Sequence, residues 1–360
     1  MSTYIAIILR PLRLNKFSAV LLLVFSLCTA APLLPSEMHS LAIASIELIY
    51  REDLKGAEET AKKIIKKYPD HPAGYFFMAV VYDAWMSYYQ SNKKENEFYR
   101  FCDQAIEKGE AILNGSSGDE WAKFFIGGAD GYKGTYEARY ERWITAFRYG
   151  WKGVSVLMEL ENDKSTISDI SYGIGSYEYW RSAMMRMLWW MPGIEDKRAQ
   201  RIDRLYRVMR DGIYTKIAAS VSLIDILLNE NRYCEVDTIT DNMLKIYPNT
   251  LAFHWGKARA LFGLKKFSDS EVEYKYILGR VESETFDNHY NAVICHLRLA
   301  KINLLLGRYT QCIAECNRMG YYEFDADVKK RLEKSFDEAL SLKKQALAAR
   351  SKNPEITVTQ

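Results

Sequence analysis

The sequence predicts an all-α chain of antiparallel helix hairpins stacked side by side, on three observations. Eight Pro and 20 Gly in 360 residues leave long stretches free of helix breakers. Apolar residues recur three and four apart through most of those stretches, the spacing of one helix face. Finally, segments of the second half align with one another at a shift of 34 residues, a period that marks stacked supersecondary units. With 48% apolar, 26% charged and 13% aromatic residues the chain has ample material for a large core and is too hydrophobic to be disordered.

At the N-terminus, Arg10, Arg13 and Lys16 precede the uncharged apolar run Phe17 to Leu27, which is bordered by the small residues Cys28, Thr29, Ala30 and Ala31. This is the layout of a signal peptide over residues 1–30. Small residues at Cys28 and Ala30 favour cleavage after Ala30, and Pro32 disfavours a cut one residue later. Lipidation of Cys28 would want a small residue before it, where Leu27 stands. An uncleaved anchor is the other reading, but Ser26, Thr29 and Pro32 interrupt the run short of the roughly 20 apolar residues of a spanning helix. The expectation is export, to the periplasm or the outer membrane. Beyond these thirty residues the 46 acidic residues are matched by equal basic ones, and a neutral body argues against nucleic-acid binding. Removal of Cys28 leaves Cys102, Cys234, Cys295, Cys312 and Cys316, so disulfides do not organise the fold. A bridge among Cys295, Cys312 and Cys316 stays open. Cys312 and Cys316 alone, one turn apart on a helix face, are poorly placed to bridge each other.

The first hairpin carries Leu54, Ala57, Ala61 and Ile64 before Pro69. Tyr75, Met78, Ala79 and Tyr82 then fit a first helix, after which SYYQSNKKENEF stretches the turn and a second helix resumes at Tyr99. After the NGSSGD break, Gly128, Gly131 and Gly134 lie three apart, followed by Ala146, Gly150 and Gly153. These small residues share a helix side and read as close helix packing against bulky Tyr132, Tyr136, Tyr140, Trp143 and Phe147. A phosphate-cradling loop is disfavoured because no strand precedes them. Tyr172 to Trp180 reads as another first helix with Gly173 in its small-residue slot. Tyr179 to Gly193 combines Met and Trp with Arg181 and Arg186, a surface suited to core packing or to a partner or lipid contact. Arginines recur every third residue from Arg198 to Arg210, a spacing that smears them around a helix.

In the second half, Tyr233, Val236, Thr240, Met243 and Leu244 align with Phe267, Ser270, Tyr274, Ile277 and Leu278 at a shift of 34. A third copy places Tyr309, Cys312, Cys316 and Met319 in the same order, shifted by 42, so extra residues lie around Glu282 to Asn288. Asn231 breaks a first helix, an aromatic opens the second, and Pro69 and Pro248 end second helices. Small residues at Ala57, Val236, Ser270 and Cys312 let paired helices approach. A charged helix from Asp325 to Arg350 suits a cap over the last hairpin, with Phe336, Leu340 and Leu347 as its apolar positions, ahead of a disordered tail at 351–360.

On these residues the chain resembles the tetratricopeptide repeat (TPR) proteins, whose 34-residue unit is a helix, a turn and a second helix. The resemblance covers about Ser36 to Pro69 and Lys216 to Met319, and the middle, 72–215, only loosely. It implies a right-handed superhelical solenoid with a concave groove. It further implies protein-protein binding or scaffolding, here in a bacterial cell envelope, with a protein or peptide as partner. By position in the unit, Asp225, Trp255, Arg259, Phe262 and Lys301 point into that groove. No H-E-x-x-H, C-x-x-C, G-x-S-x-G or Walker A pattern occurs. No catalytic residue, metal or cofactor is assigned. Two other classes stand beside the scaffold: a metal-site enzyme built on His296, Cys312 and Cys316, and a peripheral membrane protein using the Met/Trp/Arg segment 179–210.

Overall fold

A computed structural model describes residues 34–185, 197–286 and 288–352. The signal-peptide layout, most of the Met-Trp segment and most of the tail lie outside the described residues. Those residues hold fifteen α-helices and no strand. Seven hairpins follow one another: α1 (Ser36–Tyr50) with α2 (Leu54–Lys67), α3 (Pro72–Tyr89) with α4 (Glu95–Gly115), α5 (Glu120–Arg139) with α6 (Trp143–Asn162), α7 (Ile170–Met185) with α8 (Arg198–Asp211), α9 (Lys216–Asn229) with α10 (Tyr233–Ile246), α11 (Leu251–Gly263) with α12 (Phe267–Glu282), and α13 (Tyr290–Leu305) with α14 (Tyr309–Arg318). A final helix, α15 (Ala326–Lys352), packs on α13 and α14. Each helix packs chiefly on its neighbours in sequence, and the first helices of adjacent hairpins also touch, which makes the stack a solenoid.

The repeated aromatics occupy equivalent places. Tyr233, Phe267 and Tyr309 are the first residues of α10, α12 and α14. Each follows by two positions a residue in the left-handed region, Asn231 (φ 57°), Lys265 (φ 59°) and Gly307 (φ 72°). The turns after α1 and α5 use Glu52 and Glu141 in the same way, and the longer turn after α3 has its left-handed residue at the C-cap, Gln90. A single left-handed residue thus reverses the chain in six hairpins, and only at Gly307 is it the residue type that adopts this conformation at no steric cost. Helix α2 ends one residue before Tyr68 and α10 one before Tyr247, the non-helical residues that precede Pro69 and Pro248. Ala57, Val236, Ser270 and Cys312 are fully buried where second helices meet their neighbours.

The glycines act as packing surfaces. A Cβ on Gly153 would come 2.5 Å from the Gly127 carbonyl oxygen, and one on Gly134 would come 2.9 Å from the Gly150 nitrogen. Backbones of α5 and α6 therefore touch, which only glycine on both sides permits. The stripe differs in register from the sequence expectation. Gly127 belongs to it, whereas Gly128 turns its hydrogen toward the Phe76 ring of α3. Buried Asp169, just before α7, receives the backbone N–H groups of Ile213, Tyr214 and Thr215 and the Thr215 hydroxyl from the link between hairpins four and five, the closest at 2.7 Å. That carboxylate fixes the approach to α9.

Two expectations are corrected. The stretch SYYQSNKKENEF enlarges the turn only to five residues, against three in most hairpins, because α3 continues to Tyr89 and α4 begins at Glu95, ahead of Tyr99, so the other residues lengthen the helices. No bridge forms among Cys295, Cys312 and Cys316, which are free thiols like Cys102 and Cys234.

Candidate functional site: the inner face and its seam

The first helices supply the inner face of the stack. Asp225 of α9 and Arg259 of α11 are 34 residues apart in sequence and joined by a 3.1 Å ion pair. Their side chains are 54% and 50% exposed, yet burial among the surrounding helices raises the Asp225 carboxyl above its usual range, against the pull of Arg259. The pair is thus solvent-accessible although protein surrounds it. Trp255, one turn from Arg259, is half-buried and meets the edge of Tyr274 at 5.8 Å. Phe262 packs on Phe267 at 5.4 Å, and Lys301 lies 6.0 Å from the Phe262 ring while reaching Glu338 of α15 at 3.0 Å. Of the five residues expected on the groove, the structure thus joins Asp225 with Arg259 and Phe262 with Lys301. It gives Lys301 a partner on the last helix.

The sequence reading missed the other half of this face. Tyr50, Tyr132 and Tyr172 come from α1, α5 and α7. Burial raises all three hydroxyls, Tyr172 adding to the effect at Tyr50 and Tyr132, and Asp83 at all three. Tyr172 shares a 3.1 Å hydrogen bond with Ser222 of α9, and Asp83 is paired with Arg139 at 3.0 Å. Tyrosine in a helix reads as core bulk, so the signal available was position alone: each sits on a first helix.

The second feature is a seam. Expected to be an open groove, the inner face is instead closed by contacts between the first two hairpins and the last two. Arg280 of α12 pairs with Glu52 at 3.1 Å, and the Leu251 N–H donates to the same carboxylate. The Thr250 hydroxyl donates to the Tyr50 carbonyl, and Tyr247 donates to Glu47 at 2.8 Å. One turn on, Tyr88 donates to Glu284 at 2.7 Å, Asn291 to the Tyr88 carbonyl at 2.9 Å, and Arg331 to the Gln90 carbonyl at 2.7 Å. Phe286 sits 5.1 Å from both Trp85 and Tyr89, with Lys93 over its ring at 4.9 Å. Two of the places where the chain departs from a 34-residue period, the long α3 and the loop after α12, meet here. A cavity of 420 Å³ lies along the seam, walled by Tyr82, Trp85, Tyr88, Glu52, Arg280 and Glu284 among others.

The proposed metal constellation is not assembled. Both ring nitrogens of His296 are engaged, by Glu315 at 2.7 Å and Tyr322 at 3.0 Å. Cys312 and Cys316 interact with each other, which raises the Cys312 thiol and lowers that of Cys316. Among the described residues no group of three or more His, Cys, Asp or Glu side chains is placed to hold a metal ion. His254 repeats the arrangement one hairpin earlier, bonded to Glu273 at 2.6 Å and to the Pro248 carbonyl at 2.9 Å. These two histidines tie first helices to second helices.

No family model and no curated protein matches the chain. Among solved structures it is similar to a tetratricopeptide repeat protein from Parabacteroides merdae, with 13% identity over 87% of this chain and 100% of that one, at a TM-score of 0.35. It is also similar to the APC/C hetero-tetramer Cut9-Hcn1, with 10% identity over 87% of this chain and 79% of that one, at a TM-score of 0.20. The repeat positions and the helix order place the chain's fold as an all-α, TPR-like solenoid of helix hairpins.

Proposed function

We propose that the protein is a non-catalytic scaffold of the bacterial cell envelope that holds a protein or peptide partner along its inner face. The observation that carries the reading is the Asp225–Arg259 pair with Trp255 one turn away, a charged and aromatic set on a wet interior surface. Trp and Arg are the side chains that most often anchor interfaces. Because the seam closes that interior, the partner that fits is an extended segment and not a globular domain. The envelope location rests on the basic, apolar and small-residue layout of residues 1–30.

The test is photo-crosslinking. A photoreactive amino acid replaces Trp255 in one sample and exposed Val272, on a second helix, in another. The reading expects adducts with an envelope protein from position 255 alone, reduced when Arg259→Ala is added. Adducts that are equal from both positions, or indifferent to Arg259→Ala, contradict it.

A further inference from the structure

Large apolar side chains are exposed in one concentrated place outside the inner face. Trp143 (47%), Ile144 (89%), Trp151 (53%) and Trp180 (42%) include every exposed tryptophan among the described residues. On α6, Trp143, Phe147 and Trp151 form a stripe at spacing four, and Ile144, Arg148 and Lys152 form the stripe beside it. Trp151 meets Tyr177 of α7 at 6.4 Å, and Trp180 lies one turn beyond Tyr177, so the patch crosses from one helix to the next. Burial raises the Tyr177 hydroxyl, and the charge of nearby Arg181 opposes that shift. The cations around the patch are Arg142, Arg148, Lys152 and Arg181, and the exposed acid at its edge is Glu141. Arg142 is tied to Glu95 and Glu137, and Lys152 to Asp130. The balance that remains is positive.

We infer that this face of α6 and α7 docks on an anionic lipid surface. Tryptophan favours the boundary between headgroups and acyl chains, where its ring is apolar and its N–H stays wet. Basic side chains flanking such rings are attracted to anionic headgroups, by about 1 kcal/mol each near the surface. A second copy is the poorer occupant, because a two-fold contact would bring the same arginines together. The inference does not rest on the scaffold reading: the residues that carry that reading lie on α9 and α11, whereas this patch lies on α6 and α7.

The test mixes the full chain with vesicles of brominated phosphatidylcholine, with and without one third phosphatidylglycerol, and reads tryptophan quenching. The apolar run Phe17 to Leu27 contains no tryptophan, so quenching does not report on it. The expected result is quenching on anionic vesicles that weakens as salt rises. Arg148→Glu/Arg181→Glu keeps every tryptophan and should lower apparent affinity at least tenfold. Trp143→Ser/Ile144→Ser/Trp151→Ser should abolish most quenching with an unchanged helical circular dichroism spectrum. Absent quenching in the wild type, or quenching that survives both variants, overturns the inference. So does a dimer in sedimentation that Trp151→Ser disperses while vesicles are left unbound.

Discussion

Arg280 and Glu52 stand 228 residues apart in sequence and 3.1 Å apart in space. Burial raises the Glu52 carboxyl, opposed by the Leu251 N–H and the Arg280 guanidinium that hold its charge in place. A buried pair of this kind adds little net stability, but removing one partner strands the other. Arg280→Ala should therefore cost about 2–3 kcal/mol in urea unfolding. It should also speed hydrogen exchange at Leu251, whose N–H depends on the same carboxylate. An unchanged exchange rate at Leu251 would mean that the seam does not depend on this pair.

The glycines of α5, α6 and the last hairpin turn make three distinct predictions. Gly153→Ala pushes a methyl group into the α5 backbone and should cost about 2–3 kcal/mol. A Cβ on Gly131 meets nothing within 4 Å, so Gly131→Ala should gain up to about 1 kcal/mol through helix propensity. Gly307 also has open space around it but a φ of 72°, so Gly307→Ala should lose about 1 kcal/mol to the backbone alone. Thermal unfolding of the three variants reads the order directly. Equal effects would contradict the packing assignment.

Asp169 gathers four donors from residues 213–215 into a buried site. Asp169→Ala leaves those donors unsatisfied and should cost about 3 kcal/mol or more by chemical denaturation. A loss below about 1 kcal/mol would mean that water replaces the carboxylate without penalty.

His71 supplies a pH-dependent element. Its Nδ1 accepts the Ala73 N–H at 3.2 Å, which caps α3 and requires that nitrogen to be unprotonated. Burial lowers the imidazole below its ordinary 6.5, so the unfolded chain takes up the proton first. The contribution is fully present above about pH 6.5 and is lost as pH falls through the lowered folded value. Stability measured against pH for wild type and His71→Asn should diverge below 6.5, the variant lacking this share of the acid loss. Parallel curves would remove His71 as the cause.

Much of the hairpin frame is legible from local chemistry. Tyr233, Phe267 and Tyr309 announce second helices because an aromatic there must cover its neighbour, as Tyr233 covers the Gly263 backbone. Pro69 and Pro248 announce endings because proline restricts the residue before it. The close approach of α5 and α6 is visible as glycine spacing, although the register is not, since Gly127 and Gly128 differ only in which neighbour each faces. The seam is not legible. Tyr88 with Glu284 and Gln90 with Arg331 are pairs set by how far the stack turns over many hairpins, and no local pattern encodes that sum. The trace the sequence does hold is that two insertions, near Tyr89 and near Glu284, break the period at sites that later meet. The inner tyrosines were hidden for a related reason: Tyr50, Tyr132 and Tyr172 look like core until the closed interior shows what they face.

Closure of the solenoid on itself is the claim on which the interior site depends, and electron-spin distance measurement tests it most directly. Spin labels introduced through unnatural amino acids at Lys62 of α2 and Lys275 of α12, both exposed, report across the seam. The account predicts one narrow distance in the wild type, which lengthens and broadens when Glu52→Ala, Tyr88→Ala and Phe286→Ala are combined. A wild-type distribution already as broad and long as that of the triple variant would show an open superhelix and contradict it.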